Sequence, residues 1–241
     1  MDADRDDRHA ASSGTEMCNA PPVTVQFNPV WAALTGRQAD IAHRKGDAAR
    51  VIGSDAPMAA LRDPQDPSAW DTLRSLLRHG EAASVMAHQL AVPRNWEVLH
   101  DQVVMQLVAK PTTAEPNLEA SVFTGMELSN WEAIDRIGTP GPTPWSARIA
   151  LRRRGRVIAI AGDRLKLEGW TEVAVSGTDL TSRGRSKLVR LAAIQAAAVR
   201  IRGDEPFVYV PADDVRLLHE LQEYGFRVCA TGRFAHVRPR N

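Results

Sequence analysis

The sequence predicts an α+β protein, an α/β-layered fold built on a mixed sheet, and three observations carry that expectation. Short runs of alternating or continuous apolar residues recur through the second half of the chain. Two stretches of helical period lie among them, Ser186 to Arg202 and Asp213 to Tyr224, each closed by a glycine, Gly203 and Gly225. From residue 118 onward the order reads strand, helix, three strands, helix, strand, helix, strand. With 241 residues, 44% of them hydrophobic, the chain is long enough for one large or two small domains.

Taken in order, residues 1–22 are rich in Asp, Arg, Ala, Ser and Gly and end in Pro21-Pro22, which predicts a disordered tail carrying Cys18. Asn28-Pro29 reads as an N-cap followed by proline at the first helical position, with Val30, Ala33, Leu34 and Ile41 behind it. Asp66-Pro67 starts a second helix, striped by Trp70, Leu73, Leu76 and Leu77 and stopped by Gly80. Ser84 to Leu90 and Trp96 to Ala109 read as strands, and Pro111 to Pro116 as a linker. These signals divide the chain into a tail (1–22), an N-terminal α/β lobe (23–115) and a C-terminal domain (116–241).

In that C-terminal domain Leu118, Ala120 and Val122 alternate as in a strand. Ser129 and Glu132 have capping-box spacing before a helix face of Trp131, Ile134 and Ile137. A Pro- and Gly-rich loop follows, from Gly138 to Pro144. Ala147 to Leu151 and Arg156 to Ala161 predict a hairpin turning at Gly155. Glu172 to Ser176 is another strand, Leu188, Leu191, Ile194, Ala198 and Ile201 stripe the long helix, and Phe207 to Val210 is a short buried strand. Phe226 to Val237 closes the chain as a pair of strands.

Charge and cysteine content exclude whole classes. Thirty basic against 29 acidic residues describe neither a polyanion-coating protein nor an acidic solvating chain. The opening MDADRDDRHA is not a secretory signal, the longest apolar helical run (Leu191 to Val199) is too short and Ala-rich for a bilayer, and Cys18 and Cys229 make no metal-ligand spacing. The expectation is a cytoplasmic protein without metal. Read locally, the charge is uneven: between Ser146 and Gly203 thirteen basic residues face four acids, a local charge of +9.

That segment holds a strand, TEVAVSG, running through TDLTSRGRSKL into the long helix. Arg183, Gly184, Arg185, Ser186 and Lys187 thus sit at a helix N-terminus, where unsatisfied N–H groups favour an anion. Gly184 permits close backbone approach and the three cations add charge. A phosphate site and a basic surface loop are both compatible with this spacing.

The string GRVIAIAGDRLKLEGWTEVAVSGTDLTSRGRSKLVRLAAIQAAAVRIRGDEPFVYV, continued by DVRLLHELQEYGFRV, resembles the GNAT superfamily of acetyl-CoA-dependent N-acetyltransferases over roughly residues 118–241. The first half is similar, more weakly, to the extra N-terminal lobe of some bacterial members. The resemblance implies a mixed, mainly antiparallel sheet flanked by helices and transfer of an acetyl group from acetyl-CoA to a primary amine by direct attack in a ternary complex. It implies that the backbone of Ser176, Gly177 and Thr178 pairs with pantetheine. It also implies that Arg183, Gly184, Arg185, Ser186, Lys187 and Leu188 wrap the pyrophosphate, with Asp214 at a further motif position on the ligand side. Glu172, eleven residues before Arg183, stands where some members place their general base; the other reading of the residue is a solvent-facing strand carboxylate. Ser186 and Leu188 replace small motif residues, Asp214 replaces Asn, and Leu221 replaces the acid tyrosine. Tyr224 and His219 are the nearby titratable groups, the first expected in the core and the second on the surface. Trp145 is read as lining an acceptor pocket or anchoring its loop, and Cys229 as a small buried hydrophobe.

Two function classes follow. One is an N-acetyltransferase acting on a small-molecule or protein amine, with no membrane or nucleic-acid partner and with oligomeric state, a homodimer included, left open. The other is a catalytically degenerate GNAT-fold protein, acting as a CoA sensor or an interaction module.

Overall fold

The computed structural model describes residues 28–53, 57–110, 120–122, 147–154, 156–177 and 182–240. The predicted tail with Cys18, the linker at 111–116, the helix after Ser129, the loop to Pro144 with Trp145, and the Gly155 turn lie outside the described residues, as does the expected boundary at 115/116.

The described residues build one mixed, mostly antiparallel sheet of eleven strands with four α-helices. The first helix, α1 (Pro29–Thr35), carries Pro at its start as expected but stops at Gly36, and Ala39–Ile41 is a separate 3-10 turn. Asn28 does not cap α1 through its side chain; its Nδ2 donates to the carbonyls of Leu61 (2.8 Å) and Arg62 (3.2 Å). Three short strands follow: β1 (Ala42–Lys45), β2 (Ala48–Val51) and β3 (Met58–Leu61). The sequence gives them little voice because AARV and MAAL are built largely of alanine, a poor strand former. Helix α2 (Pro67–Leu76) begins as expected, Asp66 accepting from the Ser68 N–H at 2.8 Å, and strand β4 (Ala83–Ala87) follows.

Strand β5 (Trp96–Ala109) is long and unbroken. Beyond it lie β6 (Ala120–Val122), β7 (Ala147–Arg153) and β8 (Arg156–Leu167), and β8 runs further than the sequence predicts. The last elements are β9 (Trp170–Gly177), α3 (Ser182–Ile201), β10 (Glu205–Pro211), α4 (Val215–Glu223) and β11 (Phe226–Pro239). The predicted terminal strand pair is thus one strand, with a bulge between Val228 and Ala230 that leaves Cys229 as the extra residue. Gly232 stays in the ladder opposite Val104.

The strand order is β1-β2-β3-β4-β11-β5-β10-β9-β8-β7-β6. From one end, a hairpin (β1, β2) is followed by β3 and then by parallel β4, reached through α2. From the other, β6 is followed by a hairpin (β7, β8), by β9 and then by parallel β10, reached through α3. At the centre the two halves exchange their last strands. β11 pairs with β4 of the N-terminal half, β5 pairs with β10 of the C-terminal half, and β5 and β11 pair with each other from Phe226–Ala109 to Pro239–Trp96. The halves therefore share one continuous sheet.

Side-chain alternation gives each face its own core. On one face α1 packs Val30, Ala33 and Leu34 against Met86, Val104, Leu165, Trp170, Phe207 and Phe234. On the other, α2 buries Trp70, Leu73 and Leu76 over Val85, Ala235 and Val237, while α3 and α4 cover Leu107, Val173, Val208 and Phe226. The Trp70 and Trp96 rings meet edge-on at 5.1 Å.

Candidate functional site

Strands β9 and β10 run parallel and are joined by only three residue pairs, Glu205–Trp170, Pro206–Thr171 and Phe207–Glu172. Past that point β9 continues to Gly177 along β8, and β10 continues to Pro211 along β5. Each strand is held on its outer side by a different neighbour, so right-handed sheet twist carries them apart and leaves a V between them. A solvent-open cleft lies there, lined by Arg164, Ala174, Val175, Tyr209, Val210 and Pro211 and extending over Gln102, Val104, Met86 and Phe234.

At the apex sits a buried ion pair. Glu172 has no exposed surface and Arg164 is 4% exposed. Arg164 Nε donates to Glu172 Oε2 at 2.9 Å, and the NH2 of the same fork donates to Oε1. The solvent-facing orientation weighed for Glu172 is therefore replaced by a bidentate contact in the interior. Arg164 reaches it from a β8 bulge between Asp163 and Lys166. Gln38 seals that bulge: its Nε2 donates to the Arg164 carbonyl and its Oε1 accepts from the Lys166 N–H, both at 3.0 Å.

Tyr209 projects from β10 on the same side. Its ring meets Phe207 edge-on at 5.8 Å, and its hydroxyl accepts from Gln106 Nε2 at 2.9 Å. Burial first, and then the charges of Glu172 and Cys229, push the phenol well above its ordinary value, with Arg164 opposing. Gln106, fully buried on β5, stands directly opposite Tyr209 and accepts from the Cys229 thiol at 3.4 Å. Cys229 is half-buried at its bulge, and burial raises its thiol to about 11, so it is a neutral donor there and not a nucleophile.

The other arm of the V leads to α3. This helix starts at Ser182, not Ser186, so residues 183–188 form its first turns. One glycine among good helix formers does not break a helix, and Ser182 suits its start. The side chains of Arg183 and Arg185, and Thr178 as a whole, lie outside the described residues. Ser176 is buried opposite Ile160, and Gly177 lies opposite Ala159. A Cβ at Gly177 would stand 2.9 Å from Leu188 Cδ2, which makes glycine the fitting residue there. Leu188 itself is 6% exposed and packs with Leu151, Ala159, Ala161 and Leu191, so its side chain is turned into the core. Ser186 Oγ donates to Glu220 Oε2 of α4 at 3.0 Å.

The remaining expected residues are spread along α4. Asp214 caps this helix, accepting from the Leu217 N–H at 3.2 Å, at the end of the β10 arm. Leu221 is core. Tyr224 is 45% exposed at the helix end and so does not fill the core place expected of it; His219 is exposed beside Glu223 at 3.5 Å. The basic segment is partly consumed internally, since Lys166 and Arg202 meet the buried Asp163 and Arg200 meets Glu205. Arg164, Gln106 and Tyr209 were not singled out by sequence. The one available signal was a tyrosine, a side chain with a polar tip, inside the otherwise apolar FVYVP strand. Among the described residues no cluster of His, Cys, Asp and Glu converges to hold a metal, and no helix is long and apolar enough to cross a membrane.

No protein-family profile matches the chain, and no characterised protein sequence matches it significantly. Solved structures do. A Novosphingobium aromaticivorans protein described as a GNAT-family acetyltransferase is 23% identical, with a TM-score of 0.78 over 89% of this chain and 98% of its own. A GCN5-related N-acetyltransferase from Kribbella flavida is 18% identical, with a TM-score of 0.53 over 88% and 96%. These likenesses establish the fold: the chain has the mixed, mostly antiparallel fold of GNAT-family acetyltransferases.

Proposed function

We propose that the chain is an acetyl-CoA-dependent N-acetyltransferase that transfers the acetyl group to a primary amine, on a small molecule or a protein, by direct attack within a ternary complex. The observation that carries this reading is the V between β9 and β10, with a helix N-terminus following its β9 arm. From Val173 to Gly177 the β10-facing edge of β9 is outside the β9–β10 ladder. An amide-bearing chain such as pantetheine fits that edge as an added strand. The first N–H groups of α3 and the local excess of cations suit a diphosphate.

In this assignment the backbone of Ser176, Gly177 and Thr178 holds pantetheine. The turn from Arg183 to Lys187 holds the pyrophosphate, Leu188 contributing only main chain. Bound acetyl-CoA supplies a carbonyl open to an amine and a sulfur leaving group. Glu172, whose two oxygens face Arg164, serves to fix that guanidinium at the apex; the amine enters as its free base.

A CoA sensor without turnover is the second reading, favoured by one observation, the engagement of Glu172 by Arg164. The test separates them. Acetyl-CoA is expected to raise the melting temperature, and Gly184→Glu, which sets a carboxylate against the pyrophosphate, is expected to abolish the rise. No rise at millimolar acetyl-CoA rejects both readings. Release of free CoA thiol across a panel of amines establishes the transferase, and binding with no release from any amine leaves the sensor.

A further inference from the structure

Resting on that reading, we infer that Tyr209 is the group that gives its proton to the departing sulfur, held in place for this by Gln106 and Cys229. The inference starts from a cross-strand row. Tyr209 on β10 faces Gln106 on β5, and Gln106 in turn faces the Cys229 bulge on β11. The Cys229 thiol is shared between two oxygens of Gln106, the side-chain Oε1 and the main-chain carbonyl, each at 3.4 Å, and Gln106 Nε2 donates to the Tyr209 oxygen at 2.9 Å. The phenol oxygen is therefore the acceptor in its contact with Gln106, and its own hydrogen has no acceptor among the described residues. Tyr209 lines the cleft between β9 and β10. Phe207, edge-on at 5.8 Å, stops the ring from swinging away.

The elements that would otherwise carry an acid do not. On α4, Leu221 is buried core, Tyr224 is half-exposed at the helix end, and His219 stands in solvent beside Glu223. The groups facing Tyr209 are Glu172 and Arg164 from β9 and β8 and Cys229 from β11, and burial keeps the phenol protonated through the neutral range.

The step balances without a further reactant. The amine nitrogen bonds to the acyl carbon, the carbon–sulfur bond breaks with its electron pair going to sulfur, and the Tyr209 proton goes to that sulfur. The phenolate then takes the proton that the new amide nitrogen sheds.

The test needs no acceptor amine. At pH about 9, where a thiol is partly ionised, CoA and desulfo-CoA are compared by calorimetry on the full chain. Wild-type protein is expected to bind CoA about tenfold more tightly than desulfo-CoA, the strength of a hydrogen bond to a charged group. Tyr209→Phe removes only the hydroxyl and is expected to erase that preference while keeping desulfo-CoA affinity. Gln106→Glu is the second variant. It offers the phenol an acceptor in place of a donor, turns the hydrogen away from the cleft, and is expected to erase the preference with Tyr209 still present. With any amine that wild-type protein acetylates, Tyr209→Phe is expected to lower kcat on the order of 100-fold at unchanged KM for acetyl-CoA. An equal preference for CoA in wild type and Tyr209→Phe overturns the assignment and leaves the transferase standing. Failure of wild-type protein to bind either ligand overturns both.

Discussion

At the scale of single residues, the apex pair dominates. Arg164 donates two hydrogen bonds to Glu172, and both side chains are buried. A pair of this kind adds little to stability when intact, but breaking it leaves an uncompensated buried charge. Glu172→Gln is expected to destabilise the fold by about 3–5 kcal/mol, read as a lower urea midpoint at unchanged slope. Arg164→Met combined with Glu172→Leu is expected to recover most of the loss. A second residue gives a pH signature. His236 lies opposite His100 across β11 and β5, with Ser84 Oγ 3.2 Å from its Nδ1. Burial first, and then the charge of His100, lower its pKa below the ordinary 6.5. The unfolded chain therefore binds this proton more readily than the folded one. The stability His236 contributes is full above about pH 6.5 and is lost as pH falls through the lowered folded value. Melting temperatures measured from pH 8 to pH 5 are expected to fall at the acid end, less steeply in His236→Gln.

At the scale of elements, the bulge in β8 is the feature on which the site depends. It frees the Arg164 carbonyl and the Lys166 N–H from the ladder, and one buried amide, Gln38, satisfies both. Gln38→Leu is expected to cost about 3 kcal/mol, since two polar groups lose their partners, and to weaken acetyl-CoA binding because Arg164 sits on the same bulge. Thermal melts with and without acetyl-CoA measure both effects. None of this was legible in the sequence. A glutamine after a short helix carries no mark of pairing with a strand more than a hundred residues away, and a bulge has no turn signature. Helices α2 and α4 were legible, because an acidic N-cap and a one-sided apolar stripe are local properties. Gly184 obscures the start of α3 in the sequence, and β1 to β3 carry no visible period because alanine is neutral toward it. The site divides in the same way. The β9–α3 junction was read from local order, whereas Tyr209, Gln106 and Cys229 meet only through the pairing of three strands distant in sequence.

At the scale of the whole molecule, the exchange of β5 and β11 governs how the chain holds together. Without β11, β4 would present an open edge; without β5, so would β10. Fragments 1–115 and 116–241 are each expected to be insoluble when produced alone and to copurify when produced together, a result read by tagging one of them. The contrast between a sequence that divides into two lobes and a sheet that does not is itself a matter of range, since composition records the neighbourhood of each residue and strand exchange records the other half of the chain. Because β10 is fastened along its outer side by a strand encoded in the first half, the width of the V is inherited from both halves at once. Neither half can be lost, shuffled or replaced by recombination without disturbing the other's geometry, and Gln102 and Val104 of β5 themselves line the cleft.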